Sequence, residues 1–524
     1  MLCFTSDSPW TTSLVATIGG GLFGFDISSV SAFIGTQQYK DYFHNPNSNL
    51  QGGITASMSA GSFAGSLVAG YLSDRLGRRK AIQIGAVIWM FGSIVQATTT
   101  SVVQLVIGRV INGICVGITS SQVPVYLAEV SPKHIRGRIV GLQQWAITWG
   151  IMIMFYVSYA CSKLDGPKSF RLAWALQMIP AILLFFGLSI CPESPRWLYC
   201  HGEIEQARIV LANVHAGGDM DSRIVRDELS EMREAAQIRV RSASVSLFDL
   251  FRPAILRTTF TGVFAQIWQQ LTGMNVMMYY IVYVFDMAGK TGNNNLIASS
   301  IQYVINVVMT VPGLFLIDHV GRRPMFLVGS TVMMILLFTV AGLLSSHGHF
   351  VPSGLAENTN VRWVVSGSAS TGVIVCTYLF VATFASTWGP AGWIYISEIF
   401  PLEYRARGNG ICGSANWIFN FALAYFVPPA FHNILWKTYL LFGVFCFAMT
   451  VHVFFFFPET RNKSLEAISV LFSGKISAWK SKNYGNTFDQ TIKQDNTETW
   501  QYAARTERVS AEKPDIQVGT KDVP

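Results

Sequence analysis

Apolar residues run through this chain in blocks of roughly 20, separated by short polar segments. Blocks of that length match the hydrocarbon thickness of a bilayer, so each predicts a membrane-spanning helix. Twelve spans are predicted, at 11–31, 52–72, 81–98, 102–124, 138–160, 171–191, 257–285, 297–317, 325–345, 363–396, 409–430 and 437–457. The tenth is too long for one simple crossing. It contains Gly389, Pro390 and Gly392, which predicts a break there.

The polar segments between spans repeat. "YLSDRLGRRKA" around Asp74 returns as "LFLIDHVGRRP" around Asp318, 244 residues later. "VYLAEVSPKHIRGR" (Val125–Arg138) returns as "IYISEIFPLEYRARG" (Ile394–Gly408), which sets Glu129 and Glu398 269 residues apart. "CPESPRW" at Cys191 returns as "FPETRNKSL" at Phe457. A period near half the chain indicates a duplicated unit. Matching phrases are six spans apart, an even number, so the two halves point the same way through the membrane. A parallel duplication of that kind has its axis along the membrane normal.

Composition and charge sharpen this picture. Hydrophobic residues make up 51% and charged residues 13% of the chain, against about 25% charged in a soluble domain. Mean hydropathy is +0.37. Basic residues gather after even-numbered spans: Arg75, Arg78, Arg79 and Lys80; Lys133, Arg136 and Arg138; Arg322 and Arg323; Arg405 and Arg407. The positive-inside rule then places both termini in the cytoplasm. The net charge of +8 follows from this bias and does not argue for nucleic acid.

The expected organisation is a first half over 1–191, a cytoplasmic linker over 192–256, a second half over 257–470 and a cytoplasmic tail over 471–524. The linker has ten acidic residues and eight arginines, and its helical spacing at Ile204–Leu211 and Ile224–Arg239 predicts short helices. The polar tail is expected to be disordered. The first nine residues are too short, and lack the basic residues, for a cleavable signal. Eight scattered cysteines imply no disulfide framework. There is no P-loop lysine motif and no metal-ligand spacing. The expected fold is an all-α membrane protein of twelve helices, with neither enzymatic activity nor a cofactor.

Charges inside the spans are candidates for function, because burying them costs several kcal/mol. Asp26 lies in span one within "GGGLFGFDISS", and Arg109 lies in span four within "GRVINGICVG". A carboxylate between desolvation and a guanidinium can exchange a proton. A purely structural ion pair is the other reading. Amides form a second set: Gln144 in span five, Gln269, Gln270 and Asn275 in span seven, Asn306 in span eight and Asn416 in span eleven. Amides donate and accept, which suits a neutral polyol, although amides also hold helices together. On a straight helix Gln270 and Asn275 point about 140° apart at about 3.6 residues per turn. They converge only if the helix distorts near Thr272–Gly273, and that distortion is predicted. Trp388, Trp393 and Trp417 offer flat faces for a sugar ring. Ser57, Gly61, Gly65 and Ala69, with Gly113 and Gly117, form small-residue stripes for close helix packing.

The phrases "PVYLAEVSPKHIRGR", "PESPRWL", "QQLTGMN", "WGPAGWIYISEIFP" and "PETRNKSLE", with "GRR" in both halves, resemble the sugar porter family of the major facilitator superfamily. The likeness covers roughly residues 15–470, and "GITASMSAGSFAGSL" and "WGPAGW" are most similar to fungal high-affinity monosaccharide transporters. It implies hexose contacts at Gln144, Gln269, Gln270, Asn275, Asn306, Trp393 and Asn416. It implies proton coupling by Asp26 with Arg109 as partner. It also implies a cytoplasmic gate built from Asp74, Arg78, Glu129, Arg136, Arg138, Glu193, Arg196, Asp318, Arg322, Glu398, Arg405, Arg407 and Glu459, whose pairs join the halves in the outward-facing state. His319 replaces the arginine of the first repeat, so some asymmetry between the two latches is expected.

The function implied is proton-coupled monosaccharide uptake across the plasma membrane by alternating access. The proton gradient would supply the energy, and the bilayer, protons and a monosaccharide are the expected partners of a working monomer. A facilitator on the same fold and a sugar sensor are the alternatives. The tail is short and has no evident docking motif, which disfavours the sensor.

Overall fold

In a computed structural model the described residues are 8–31, 33, 36–44, 46–132, 135–241, 246–290, 293–352, 362–401, 404–461, 463, 468, 471–472 and 477–483. The expected tail disorder concerns residues that lie almost wholly outside this set. The first half contains α1 (Pro9–Ser31), a short α2 (Gln37–Tyr42), α3 (Ser48–Leu76), α4 (Arg78–Ala97), α5 (Val102–Val130) and α6 (Arg136–Cys161). Its sixth span is two pieces, α7 (Lys168–Leu176) and α8 (Met178–Ser189). The linker carries α9 (Pro195–Cys200), α10 (Ile204–Ala216) and α11 (Arg223–Arg241), so both helical runs expected there are helices.

The second half opens with the distorted span: α12 (Pro253–Leu271), α13 (Met274–Tyr279) and α14 (Ile281–Met287). Gly273 sits between the first two at φ +86°, a left-handed backbone that glycine adopts without steric cost. The predicted distortion is therefore present at the predicted residue. Next come α15 (Asn293–Val320) and α16 (Arg322–His347), followed by a small antiparallel hairpin of β1 (Gly348–Phe350) and β2 (Trp363–Val365), which the apolar pattern did not suggest. The tenth span breaks between α17 (Ser368–Ser386) and α18 (Trp388–Ile399). Pro390 explains the place: its ring excludes a helical carbonyl four residues earlier, at Ser386. The chain then runs through α19 (Arg405–Asn433) and α20 (Lys437–Phe456).

Ten spans among the described residues are long and apolar enough to cross a membrane by themselves. The other two are α3, rich in Gly, Ser and Ala, and the broken α12–α14 span. The first of these is held by close backbone packing. A Cβ on Gly61 or Gly65 would run into the carbonyls of Val110 and Ile114, and one on Gly113 or Gly117 into those of Met58 and Ser62. The small-residue stripes thus bring α3 and α5 backbone to backbone. Across the halves, α3 packs on α19 and α6 on α15.

The repeated loops fold alike. Gly77 and Gly321, at φ +95° and +103°, turn the chain into α4 and α16. All the "GRR" and "PES/PET" loops lie on one side of the bundle, called the basic face below.

Candidate functional site

A small cavity of about 40 Å³ lies between the two halves of the bundle, smaller than open small-molecule sites, about 300–1,000 Å³. The first half lines it with Phe23 and Ile27 from α1 and with Gln144, Ile147 and Ile151 from α6. The second half lines it with Gln269, Gln270, Met274, Asn275, Met278, Asn306, Phe384 and Trp393. The walls therefore differ. The first half contributes aliphatic and aromatic surface plus one amide, and the second contributes four amides and a tryptophan.

The break at Gly273 creates the amide wall. It lets Asn275 Nδ2 donate to Gln270 Oε1 at 2.5 Å. Behind them stands Asn416, fully buried, which is not among the lining residues. It accepts from Gln270 Nε2 at 2.7 Å and donates to Gln266 Oε1 at 2.6 Å and Gln269 Oε1 at 3.1 Å. The direct sugar contact expected of Asn416 is thus replaced by a supporting position, because its amide is consumed in orienting three glutamines. Gln269 Nε2 donates to the carbonyls of Trp388 and Gly389 at 3.1 and 3.2 Å, and Gln266 Nε2 donates to that of Gly392 at 3.2 Å. The start of α18 thus anchors the glutamines through the carbonyls of Trp388, Gly389 and Gly392. Of the three tryptophans expected to offer a face, Trp393 alone lines the cavity. Trp388 packs on Phe326, and Trp417 packs edge-on to Phe23 with ring centroids 4.8 Å apart. Gln266, Asn420, Phe23 and Met278 were missed. Gln266 and Asn420 each lie four residues from a named amide, so the i, i+4 rule could have found them.

Asp26 and Arg109 form a buried pair, both fully inaccessible, with Nη2 to Oδ2 at 2.9 Å. Arg109 also donates from Nε to the Ile54 carbonyl at 3.0 Å and from Nη2 to the Thr55 carbonyl at 3.4 Å. Among the described residues, Asp26 Oδ1 has no hydrogen-bond partner. Asp26 sits on α1 beside the cavity residues Phe23 and Ile27, one helical turn away and next in sequence, and Arg109 reaches it from α5.

At the basic face each half builds the same cluster. Arg78 Nε meets Glu129 at 3.0 Å, and Arg322 Nη2 meets Glu398 at 2.7 Å. Ser194 and Thr460 donate to the same two glutamates. Among the described residues, two pairs cross between halves: Arg407 to Asp74 and Arg138 to Asp318, each at 3.4 Å. Arg405 lies within electrostatic reach of Glu129 across the same seam. Arg136 and Arg196 are both buried near it. Crossing pairs close this face.

Two expectations are corrected here. Among the described residues, Glu193 and Glu459 form no ion pair across the halves. Glu193 accepts the backbone N–H groups of Arg78, Arg79 and Ser194, and Glu459 accepts those of Arg322, Arg323, Thr460 and Arg461. Each carboxylate caps the start of a span, where free N–H groups and the helix dipole favour a negative charge. Burial pushes the Glu193 carboxyl above its usual range, while bonds from the Ser194, Arg79 and Arg78 backbone and the Arg78 charge oppose the shift. The expected latch asymmetry at His319 is also absent. His319 is exposed and its ring faces the Phe315 carbonyl, while Arg75 in the first half lies over the Tyr71 ring. Neither residue belongs to the described ion-pair clusters.

Comparison with known proteins places this geometry. The profile of the sugar (and other) transporter family matches residues 12–472. The chain is 49% identical over 478 residues to the high-affinity glucose transporter of Kluyveromyces lactis, covering 91% of this chain and 87% of that one. It is likewise 49% identical to high-affinity glucose transporter 1 of Candida albicans, covering 90% and 87%. Among solved structures, the proton:xylose symporter XylE bound to 6-bromo-6-deoxy-D-glucose matches with a TM-score of 0.77 at 27% identity, covering 88% and 99%. The inward-open conformation of XylE from E. coli matches less closely, at 0.66. That order agrees with the crossing pairs that close the basic face.

Proposed function

The chain belongs to the sugar transporter family, and from that membership we propose that it carries a monosaccharide, D-glucose first, into the cell together with a proton. The observation that carries the reading is the small central cavity, with four amides and Trp393 on one side and apolar residues plus Gln144 on the other. Sugar hydroxyls would take the amides of Gln144, Gln269, Gln270, Asn275 and Asn306, and the apolar ring face would lie on Trp393. The names of the Kluyveromyces and Candida relatives support glucose.

The proton part rests on Asp26 and Arg109. Protonation at Asp26 Oδ1, the oxygen left without a partner, would neutralise the carboxylate and loosen its hold on Arg109. The naming of XylE as a proton symporter supports this part. One charge crossing 100 mV gains about 2.3 kcal/mol, and each pH unit adds about 1.4 kcal/mol. One proton per sugar therefore suffices for strong accumulation. The basic face would be cytoplasmic, both termini would lie inside, and the membrane would be the plasma membrane. The gate would open inward when the Arg407–Asp74 and Arg138–Asp318 pairs part.

The test is labelled D-glucose uptake in a host lacking its own hexose carriers, at two external pH values and against competing sugars. Uptake that rises with external acid and alkalinises an unbuffered suspension supports symport. Glucose uptake that ignores pH would make the protein a facilitator. No uptake of any monosaccharide would overturn transport itself.

A further inference from the structure

Between the buried ion pair and the amide wall lies a polar node that belongs to neither. Asn420 on α19 is 1% exposed. Its Oδ1 accepts the Ser59 hydroxyl of α3 at 2.6 Å and the Tyr279 hydroxyl of α13 at 3.4 Å. Its Nδ2 donates to Gln270 Oε1 at 3.2 Å. The Ser59 bond crosses from one half to the other, and Ser59 is itself fully buried. Five and four residues earlier on α3 are the Ile54 and Thr55 carbonyls that accept from Arg109. One stretch of α3, about 7 Å long at about 1.5 Å per residue, therefore touches the Asp26 pair at one end and the amide wall at the other.

The hydrogen-bond inventory makes this stretch sensitive to both ligands. Gln270 Oε1 already accepts from Asn275 and Asn420, and an amide oxygen has two lone pairs. A sugar hydroxyl donating to that oxygen must displace one of them, and the bond from Asn420 is the longer. Asn420 carries both bonds on one planar amide, so a shift at its Nδ2 is felt at the bond from Ser59. At the other end, a proton on Asp26 releases Arg109, which bonds the same helix. We propose that Ser59 is a coupling residue: its bond to Asn420 relays sugar occupancy of the amide wall to α3, and through α3 to Arg109 and Asp26. Ser59 touches neither the sugar nor the proton and acts by position. The assignment rests on the proton-symport reading above and adds the path by which the two ligands communicate.

The test uses the full-length protein in liposomes, comparing wild type with Ser59→Ala, Ser59→Thr and Ser59→Cys. Two activities are read: D-glucose exchange without a gradient, and accumulation driven by an imposed pH gradient. One neutral hydrogen bond corresponds to roughly a two- to tenfold effect. Ser59→Ala is expected to keep exchange within about twofold while accumulation falls by that two- to tenfold factor, and Ser59→Thr restores it. Ser59→Cys, with a weak donor of similar size, gives an intermediate ratio and keeps the test open if the alanine variant does not fold. Wild-type accumulation in Ser59→Ala overturns the assignment, as does a parallel fall in exchange and accumulation, which marks simple packing. A wild type that exchanges glucose without pH-driven accumulation overturns the symport reading, and the role of Ser59 with it, and is recognised from the wild-type arm alone.

Discussion

Arg78 meets Glu129 at 3.0 Å in one half and Arg322 meets Glu398 at 2.7 Å in the other, and the two crossing pairs match at 3.4 Å. No such correspondence exists 20 Å or so deeper, about 14 residues along α3 from Asp74 at about 1.5 Å each. There the first half supplies Asp26, Arg109 and apolar walls, while the second supplies amides and Trp393. The duplicated chain has kept its symmetry where the halves must hinge against each other. It has lost that symmetry at the central cavity, where the proposed symport needs a sugar to be told from a proton. A hinge works equally well from either side, so like chemistry suffices. A site that binds two unlike ligands gains from two unlike walls.

The comparison can be broken at several points. The largest expected effects are at the basic face. Arg78→Ala and Arg322→Ala each strand a buried glutamate, at a cost of about 3–5 kcal/mol. Thermal unfolding of the purified variants should show two similar losses, and a large loss in only one would end the claim of a symmetric gate. Next come the unlike walls. Gln270→Leu strands Asn275, Asn416 and Asn420, and an unmet buried polar group costs about 1–3 kcal/mol. Apparent glucose affinity should fall about tenfold or more. Gln144→Leu removes a lone amide from the opposite wall and should cost only severalfold, so equal losses would make the walls equivalent.

Smaller effects are expected at the seam. Arg138 is one-third exposed, and such pairs contribute about 0–1 kcal/mol. Arg138→Ala and Arg407→Ala should each shift the apparent affinity for external sugar by less than about fivefold, and by similar factors. The smallest concerns Glu193. Its carboxyl is raised in the folded state, so folded protein binds the proton more tightly than unfolded protein does. Its contribution to stability is fully present below the ordinary glutamate range and is lost as pH rises through the folded value. Mild acid should therefore stabilise the first-half gate, and Glu193→Gln should flatten that dependence in melting curves taken across this pH range.

Much of this was legible in the sequence because it rests on covalent regularities. Span lengths, basic loops and repeated phrases fixed twelve helices and two parallel halves. Thr272–Gly273 marked the break, since two amides five residues apart cannot otherwise meet. Three-dimensional bookkeeping was not legible. Asn416 reads like its neighbours along the chain, and only packing shows its amide spent on three glutamines. Glu193 and Glu459 read as gate acids, and only the fold shows them capping helix starts. Ser59 carries no signal at all beyond a small residue in a small-residue helix, because its partner lies 361 positions away.

The central claim is that the first half's acid, and not the shared gate, couples the proton to the sugar. It is tested most directly by glucose accumulation in proteoliposomes under an imposed potential and pH gradient, comparing wild type with Asp26→Asn. At 100 mV and one pH unit, the available driving force of about 3.7 kcal/mol allows a concentration ratio of several hundred. Wild type is expected to approach that ratio, while Asp26→Asn exchanges glucose but equilibrates near one. Accumulation by Asp26→Asn at the wild-type ratio would contradict the account.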